Sequence, residues 1–315
     1  MNIVVPDDVP GLVASSGLEH QLRELGNLRV YDSLANSGSL LLERLADADV
    51  AITVAGSDFT ETVIDACLGL KYIAIFGIGV DNVDLDACHK RGIVVTNTPA
   101  YSAAIVAEKA IALALAVAHR IPRLDRAVRN GEWPQEVVGQ LHGKVLGAVG
   151  TGPIGQHVIS LGRGLGMEVI AWTFNPSPQR ANEYQVDFVS LDELLSSADV
   201  VSLQLPLSSL STNLIGPEQL GLMKPSAILV NVGRGAVVDE EALVDALQKG
   251  RIGGAGLDVF STEPLPSDHP LKVLDSVVMS PHNAANTPEA NRTGLMIAIQ
   301  NIRDWQQGLA TNVVT

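Results

Sequence analysis

Residues 144–156 read Lys144-Val145-Leu146-Gly147-Ala148-Val149-Gly150-Thr151-Gly152-Pro153-Ile154-Gly155-Gln156, an apolar, β-prone run that stops at a glycine and passes into a helical pattern over 156–165. In a loop of this kind the first glycine permits a tight turn, the second lets a pyrophosphate approach the backbone, and the third lets helix and strand pack closely. The helix N-terminus then faces the phosphates, and Pro153 suits its first turn. In a chain with 29 glycines the spacing alone also fits a plain strand-to-helix turn. Its place between a strand and a helix is what points to dinucleotide binding.

Outward from this loop, short apolar runs alternate with helical stretches. One series occupies 2–5, 28–31, 50–54, 72–75 and 94–96; a second occupies 144–149, 168–173, 199–203, 227–231, 254–258 and 276–279. Such alternation reads as βαβ units, so two parallel sheets are expected. Residues 100–120, rich in Ala and Leu and free of Gly and Pro, predict one long, largely buried helix leaving the first domain. Thr287, Pro288 and Glu289 form a helix start, with Thr as N-cap, and that helix is expected to run to about Gln307. Ser190 with Glu193 makes a capping box before another short helix.

Composition narrows the class. The chain has 315 residues, 46% of them hydrophobic and 18% charged, with 16 prolines, which excludes disorder and fibres and fits two domains of ordinary size or one large one. Its 35 acidic and 21 basic residues give a net charge of -14, so nonspecific nucleic-acid binding is not expected, while small anionic substrates depend on local charge. Cys67 and Cys88 have no metal-ligand spacing and are expected to be buried small hydrophobes in a reducing, cytoplasmic protein. No basic, apolar leader opens the chain, and the greasy stretch 103–118 is interrupted by Glu108 and Lys109, so neither export nor a membrane span is expected. His20, His89, His119, His142, His157 and His269 show no metal spacing, and Trp133 and Trp172 are read as packing residues.

Polar chemistry collects where strands of the second series end. An acid about 20 residues past the glycine loop would bind the ribose 2′-hydroxyl of NAD, yet this strand ends Ala171-Trp172-Thr173-Phe174-Asn175. Thr173, Asn175 and Arg180 can instead donate to a 2′-phosphate, so the cofactor expected is NAD(P), leaning to NADP; the alternative is a merely polar loop that tolerates both. Arg234 stands between Gly233 and Gly235 at the end of 227–231, where its bidentate fork could clamp a carboxylate. Asp258 and Glu263 follow 254–258, and His282 follows 276–279. Paired with Glu263, His282 would have its protonated form stabilised and serve as a proton donor near neutral pH.

In order along the chain, Gly77-Ile78-Gly79-Val80-Asp81-Asn82-Val83-Asp84, Asn97-Thr98-Pro99, the glycine loop, Val232-Gly233-Arg234-Gly235, Leu257-Asp258-Val259-Phe260 with Glu263-Pro264, and Pro281-His282 resemble the D-isomer-specific 2-hydroxyacid dehydrogenase family. The resemblance covers nearly the whole length. It implies an α/β protein of two doubly wound parallel-sheet domains: a Rossmann nucleotide domain, 100–282, inserted into a flavodoxin-like substrate domain built from 1–99 and 283–315. It also implies hydride transfer between NAD(P)H and C2 of a small 2-oxo acid, with His282 as acid-base, Glu263 as its partner and Arg234 on the substrate carboxylate and carbonyl. Backbone N–H groups around Ile78 and Gly79 would take the carboxylate. The implied cofactor contacts are Gly150, Gly152, Pro153, Ile154 and Gly155 of the loop, Thr173 and Asn175, Leu205 and Pro206 beside the adenine and ribose, and Val232, Gly233 and Arg234. Near the nicotinamide they are Asp258, which holds its amide, His282 and Ala284. No metal is implied, and a homodimer through the nucleotide domain is.

Several features refine this reading. Members acting on 3-phosphoglycerate usually carry Arg where Ile75 stands, so an unphosphorylated substrate such as glyoxylate, hydroxypyruvate or a pyruvate-like acid is expected, with phosphoglycerate dehydrogenase as the alternative. Tyr101, within Ala100-Tyr101-Ser102, either reaches substrate or packs at a helix start. Lys109 stands where the family commonly has His after Ala-Glu. The related formate dehydrogenases usually have Gln at the position of Glu263. The chain ends soon after the last helix, so the regulatory domain of longer phosphoglycerate enzymes is not expected. A dinucleotide-sensing binding protein, on the pattern of corepressors of similar fold, is the reading from another class.

Overall fold

The computed structural model describes residues 1–53 and 56–315, so Val54, at the end of the third predicted strand, lies outside the described residues. The chain divides into two compact units, Met1–Ser102 with Asn286–Thr315, and Ala103–Ala285. The junctions expected from the sequence were 99/100 and 282/283.

In the first unit, β1 (Asn2–Val5), β2 (Asn27–Val30), β3 (Val50–Thr53), β4 (Tyr72–Ile75) and β5 (Val94–Thr96) form a sheet in the order β2-β1-β3-β4-β5. Every pairing is parallel. This is the flavodoxin-like doubly wound order. Buried on both faces, β3 and β4 carry nearly continuous apolar runs, broken only by Thr53, instead of alternation. The helix Pro288–Gln306 returns to this unit and packs Leu295, Ala298, Ile299 and Ile302 with Ile3, Val5, Tyr72 and Phe76. Thr287 caps it as expected, its Oγ1 accepting from the Ala290 N–H at 3.2 Å.

The second unit holds β6 (Val145–Val149), β7 (Glu168–Trp172), β8 (Asp187–Phe188), β9 (Val200–Leu203), β10 (Ile228–Asn231), β11 (Gly254–Leu257) and β12 (Val277–Met279). Their order, β8-β7-β6-β9-β10-β11 and then β12, is the Rossmann order extended by one strand. The two-residue β8 escaped the sequence reading because so short a pairing leaves no periodicity. The long helix spans Ala103–Ala118, shorter at both ends than the predicted 100–120. Ala100 at φ 59° and Arg120 at φ 53° are left-handed and set its limits.

Cys67 and Cys88 are buried as expected; burial pushes both thiols up, that of Cys88 to about 11 with help from Asp84. Trp133 corrects the packing expectation: its side chain is 77% exposed, in a stretch of irregular backbone that offers it no surface in its own unit. No helix among the described residues is long and apolar enough to cross a membrane.

The long helix is seated on the sheet by a glycine. A Cβ built on Gly256 of β11 would lie 2.8 Å from Leu113 Cβ. Gly256→Ala should therefore overpack this contact and destabilise the second unit by about 1–3 kcal/mol, seen as a lower urea midpoint with near-normal far-UV circular dichroism.

Candidate active site

The glycine loop has the shape its spacing predicts. Gly150 is left-handed at φ 97°, and a Cβ there would lie 2.9 Å from Leu205 Cδ2. A Cβ on Gly155 would strike the Gly150 carbonyl oxygen, so helix and strand meet this closely only because residue 155 is glycine. Gly152, by contrast, has no heavy atom within 4 Å of its Cβ position, which leaves open space at the N-terminus of the helix Pro153–Gly164. No side chain caps that helix. A cradle that is open in front of uncapped N–H groups fits a pyrophosphate. Buried Gln204 braces the loop from behind, its Nε2 donating to the Gly150 carbonyl at 2.8 Å and its Oε1 accepting from Ser202 Oγ at 2.8 Å.

Past β7, Thr173 is half-buried and Asn175 exposed, with no carboxylate between them. Arg180 ties this turn to the glycine loop. Its guanidinium donates to Thr151 Oγ1 at 2.8 Å, to Thr151 O at 3.2 Å and to Asn175 O at 2.9 Å, and it stacks over Tyr184.

The second cluster lies where β10, β11 and β12 end. Asn231 shapes the first turn: its Oδ1 accepts from the Gly233 N–H at 3.0 Å and its Nδ2 donates to Arg234 O at 2.9 Å. A Cβ on Gly233 would lie 2.7 Å from Leu205 O, and one on Gly235 would strike the Phe260 carbonyl. The glycines flanking Arg234 thus let its turn wedge between two neighbouring backbones. Val232 and Leu205 are buried there and Pro206 is exposed.

Glu263 accepts from the Phe260 N–H at 2.9 Å through Oε1, while its Oε2 meets His282 Nδ1 at 2.7 Å. Burial pushes the Glu263 carboxyl up, but the His282 hydrogen bond, the Phe260 N–H and the charges of His282 and Arg234 outweigh it and hold the group below its usual range. Arg234, Glu263 and His282 are therefore one electrostatic cluster.

Asp258 is 1% exposed and organises the loop that carries His282. Its Oδ1 accepts from Ser280 Oγ at 2.5 Å and the Asn283 N–H at 3.2 Å, its Oδ2 from the Ala284 N–H at 2.9 Å, and its backbone carbonyl from the His282 N–H at 2.7 Å. His282 is held at φ 49°, a conformation a non-glycine residue adopts at a cost. Sequence reasoning missed Ser280, Asn231 and a further support: Glu240 Oε2 accepts from the Ser261 N–H at 3.0 Å, and its Oε1 lies 3.3 Å from His269 Nε2. No spacing signals these partners, because folding alone brings them together.

In the other unit, the Gly77–Gly79 turn is braced by the Asn97-Thr98 motif: Thr98 Oγ1 accepts from the Gly77 N–H at 2.9 Å, and Asn97 Nδ2 donates to Ile78 O at 2.8 Å. Ile78 is exposed and Gly79 half-buried. The Tyr101 ring packs on Phe76, centroids 5.5 Å apart, and against Gly294, where a Cβ would lie 2.7 Å from Tyr101 Cδ2. These contacts support the packing alternative for Tyr101. Among the described residues no group of three or more His, Cys, Asp or Glu could hold a metal ion.

Residues 111–284 match the family model described as D-isomer specific 2-hydroxyacid dehydrogenase, NAD binding domain. The chain is 39% identical over 297 residues to a D-3-phosphoglycerate dehydrogenase of Methanocaldococcus jannaschii, covering 93% of this chain but 56% of that protein. With a glyoxylate reductase of Thermococcus litoralis it shares 38% identity over 286 residues, 88% of this chain and 86% of the relative. Among solved structures, an acyclic imino acid reductase in complex with NADPH and D-Arg superposes with a TM-score of 0.90 at 29% identity, over the full length of both chains.

The lowered carboxyl of Glu263 has a consequence for stability. A depressed group stabilises the fold fully above its unfolded value and ceases to do so as pH falls through its folded value. Glu263→Gln should thus flatten the acid side of a Tm-against-pH curve below about pH 4.5, with little change in slope near neutrality.

Proposed function

Because the chain belongs to the D-isomer-specific 2-hydroxyacid dehydrogenase family, we propose that it reduces small, unphosphorylated 2-oxo acids to 2-hydroxy acids with a nicotinamide dinucleotide. The observation that carries this reading is the 2.7 Å contact of His282 Nδ1 with Glu263, beside Arg234, on the sheet that also bears the glycine loop. A nicotinamide dinucleotide held on this sheet would supply the hydride to C2. His282, steadied through Nδ1, donates the proton from Nε2 to the C2 oxygen in reduction and accepts it in oxidation. Arg234 takes the substrate carboxylate and carbonyl with its planar fork, and the N–H groups of Ile78 and Gly79 are assigned to the carboxylate. Gly150, Gly152 and Gly155 make room for the pyrophosphate, while Asp258, placed beside the nicotinamide amide on this reading, also holds the His282 loop.

Ile75 and Phe76, each 4% exposed, supply no cation where phosphoglycerate-type relatives usually have Arg. This weighs for an unphosphorylated substrate and against phosphoglycerate. Oxidation of NADH and NADPH should be fastest with glyoxylate, hydroxypyruvate or short aliphatic 2-oxo acids; a higher kcat/KM for 3-phosphohydroxypyruvate would reverse the assignment. His282→Ala should lower kcat by roughly 10² to 10⁴, and Arg234→Ala should raise KM as well as lower kcat. Near-normal reduction by His282→Ala would instead favour a dinucleotide sensor.

NADPH is assigned as at least as good a cofactor as NADH. The missing carboxylate at Thr173, the guanidinium of Arg180 bridging Thr151 and Asn175, and the NADPH bound by the imino acid reductase support this. Steady-state kinetics should show it, and Thr173→Asp should shift preference toward NADH by about tenfold, or about 1.4 kcal/mol.

The active form is assigned as a cytoplasmic homodimer joined through the nucleotide unit. The helix Ile121–Arg129 buries none of its residues, and Ile121, Val128, Trp133 and Val137 are 53%, 50%, 77% and 90% exposed. Large apolar side chains exposed on one helix and the segment after it support this assignment. Sedimentation velocity should give twice the monomer mass, and Trp133→Ser with Val137→Ser should shift the equilibrium toward monomer.

A further inference from the structure

Lys109 is the family departure that the reading above leaves without a role. It lies on the helix Ala103–Ala118, one turn before Leu113, whose side chain fills the space left by Gly256. That close approach also fixes where the Lys109 stem leaves the helix, since residues four apart share a face. The half-buried Lys109 extends its Nζ to Asn283 Oδ1 at 3.1 Å. Asn283 follows His282 directly and is thereby held twice, by Asp258 at its backbone N–H and by Lys109 at its side chain.

The loop needs such ties. At φ 49° His282 sits in a left-handed conformation that persists only where its surroundings over-determine it. Relaxation toward ordinary backbone angles would swing the imidazole off Glu263. Asp258 restrains the loop from the strand beneath, whereas Lys109 restrains it from the long helix, through a charge-assisted bond stronger than a neutral one.

We propose that Lys109 is a positioning residue for the acid–base pair: by fixing the Asn283 side chain it keeps His282 in its left-handed conformation with Nδ1 on Glu263. The proposal rests on the reductase reading. Its role is to orient the proton donor and not to bind substrate, so its loss is expected in kcat.

The test is a double-mutant cycle with a conservative rescue, on the full-length protein. Lys109→Met should lower kcat for the best 2-oxo acid by about five- to tenfold, with KM and the NADPH Kd changed less than about twofold. Asn283→Ala should lose a similar factor, the double variant should be no worse than either, and Lys109→Arg should recover most of the activity. Additive losses, a loss confined to KM, wild-type kcat in Lys109→Met, or failure of the Arg rescue would each overturn the proposal. A readout independent of turnover accompanies these assays: the rate at which diethyl pyrocarbonate modifies His282, followed by peptide mass spectrometry. That rate should change alike in both single variants and the double, and be near wild type in Lys109→Arg; identical rates in all would overturn the positioning role. A wild-type protein that reduced no 2-oxo acid would sink the reductase reading, and the labelling rates would still decide whether Lys109 holds His282.

Discussion

The carboxylate of Asp258 is the point on which the end of the second unit that carries Arg234, Glu263 and His282 hangs. It is buried, and a polar group taken from water is tolerated only where its hydrogen bonds are replaced. Here the replacements are Ser280 Oγ and the N–H groups of Asn283 and Ala284, all from the loop after β12. The need to satisfy one side chain at the end of β11 thus dictates the path of the next loop. His282 gets its position from that path before its own side chain makes any contact, and its backbone N–H completes the fastening on the Asp258 carbonyl.

A second constraint is steric. Gly233 and Gly235 let the Arg234 turn approach the backbones of Leu205 and Phe260 more closely than any side chain would allow. That approach brings a guanidinium into the field of Glu263, which in turn holds the His282 ring. The three groups come from three strands with no sequence proximity. Hydrogen bonds around them are charge-assisted and partly shielded from water, a setting in which orientation counts more than in bulk solvent. The left-handed His282 is the cost of this arrangement, offset by the ties on both sides of it.

Much of the architecture is legible along the chain because its causes are local. Runs of β-formers buried on both faces, a Thr-Pro-Glu helix start and glycines at turn spacing act over a few residues, and the strands and the last helix fall close to where these signals put them. The misreadings have equally local physics. The two residues of β8 are too few for a period, and left-handed Ala100 and Arg120 cut short a helix whose composition would have carried it further. Trp133 looked like a core residue by its chemistry, yet side-chain chemistry does not say whether the surrounding backbone will supply a surface to cover it.

By itself the sequence determined the two-sheet α/β class, the glycine loop and the chemistry that Arg234, Glu263 and His282 can offer, since residue type and spacing decide what chemistry a chain can do. Tertiary structure alone decided how those groups are aimed. Asp258, Asn231, Glu240 and Lys109 act on neighbours that are 21 to 174 positions away or that lie across a turn, at distances of about 3 Å. Hydrogen bonding falls off within an ångström or so of its optimum. No pattern read along a chain resolves such distances, because they exist only after the sheet and its loops have packed.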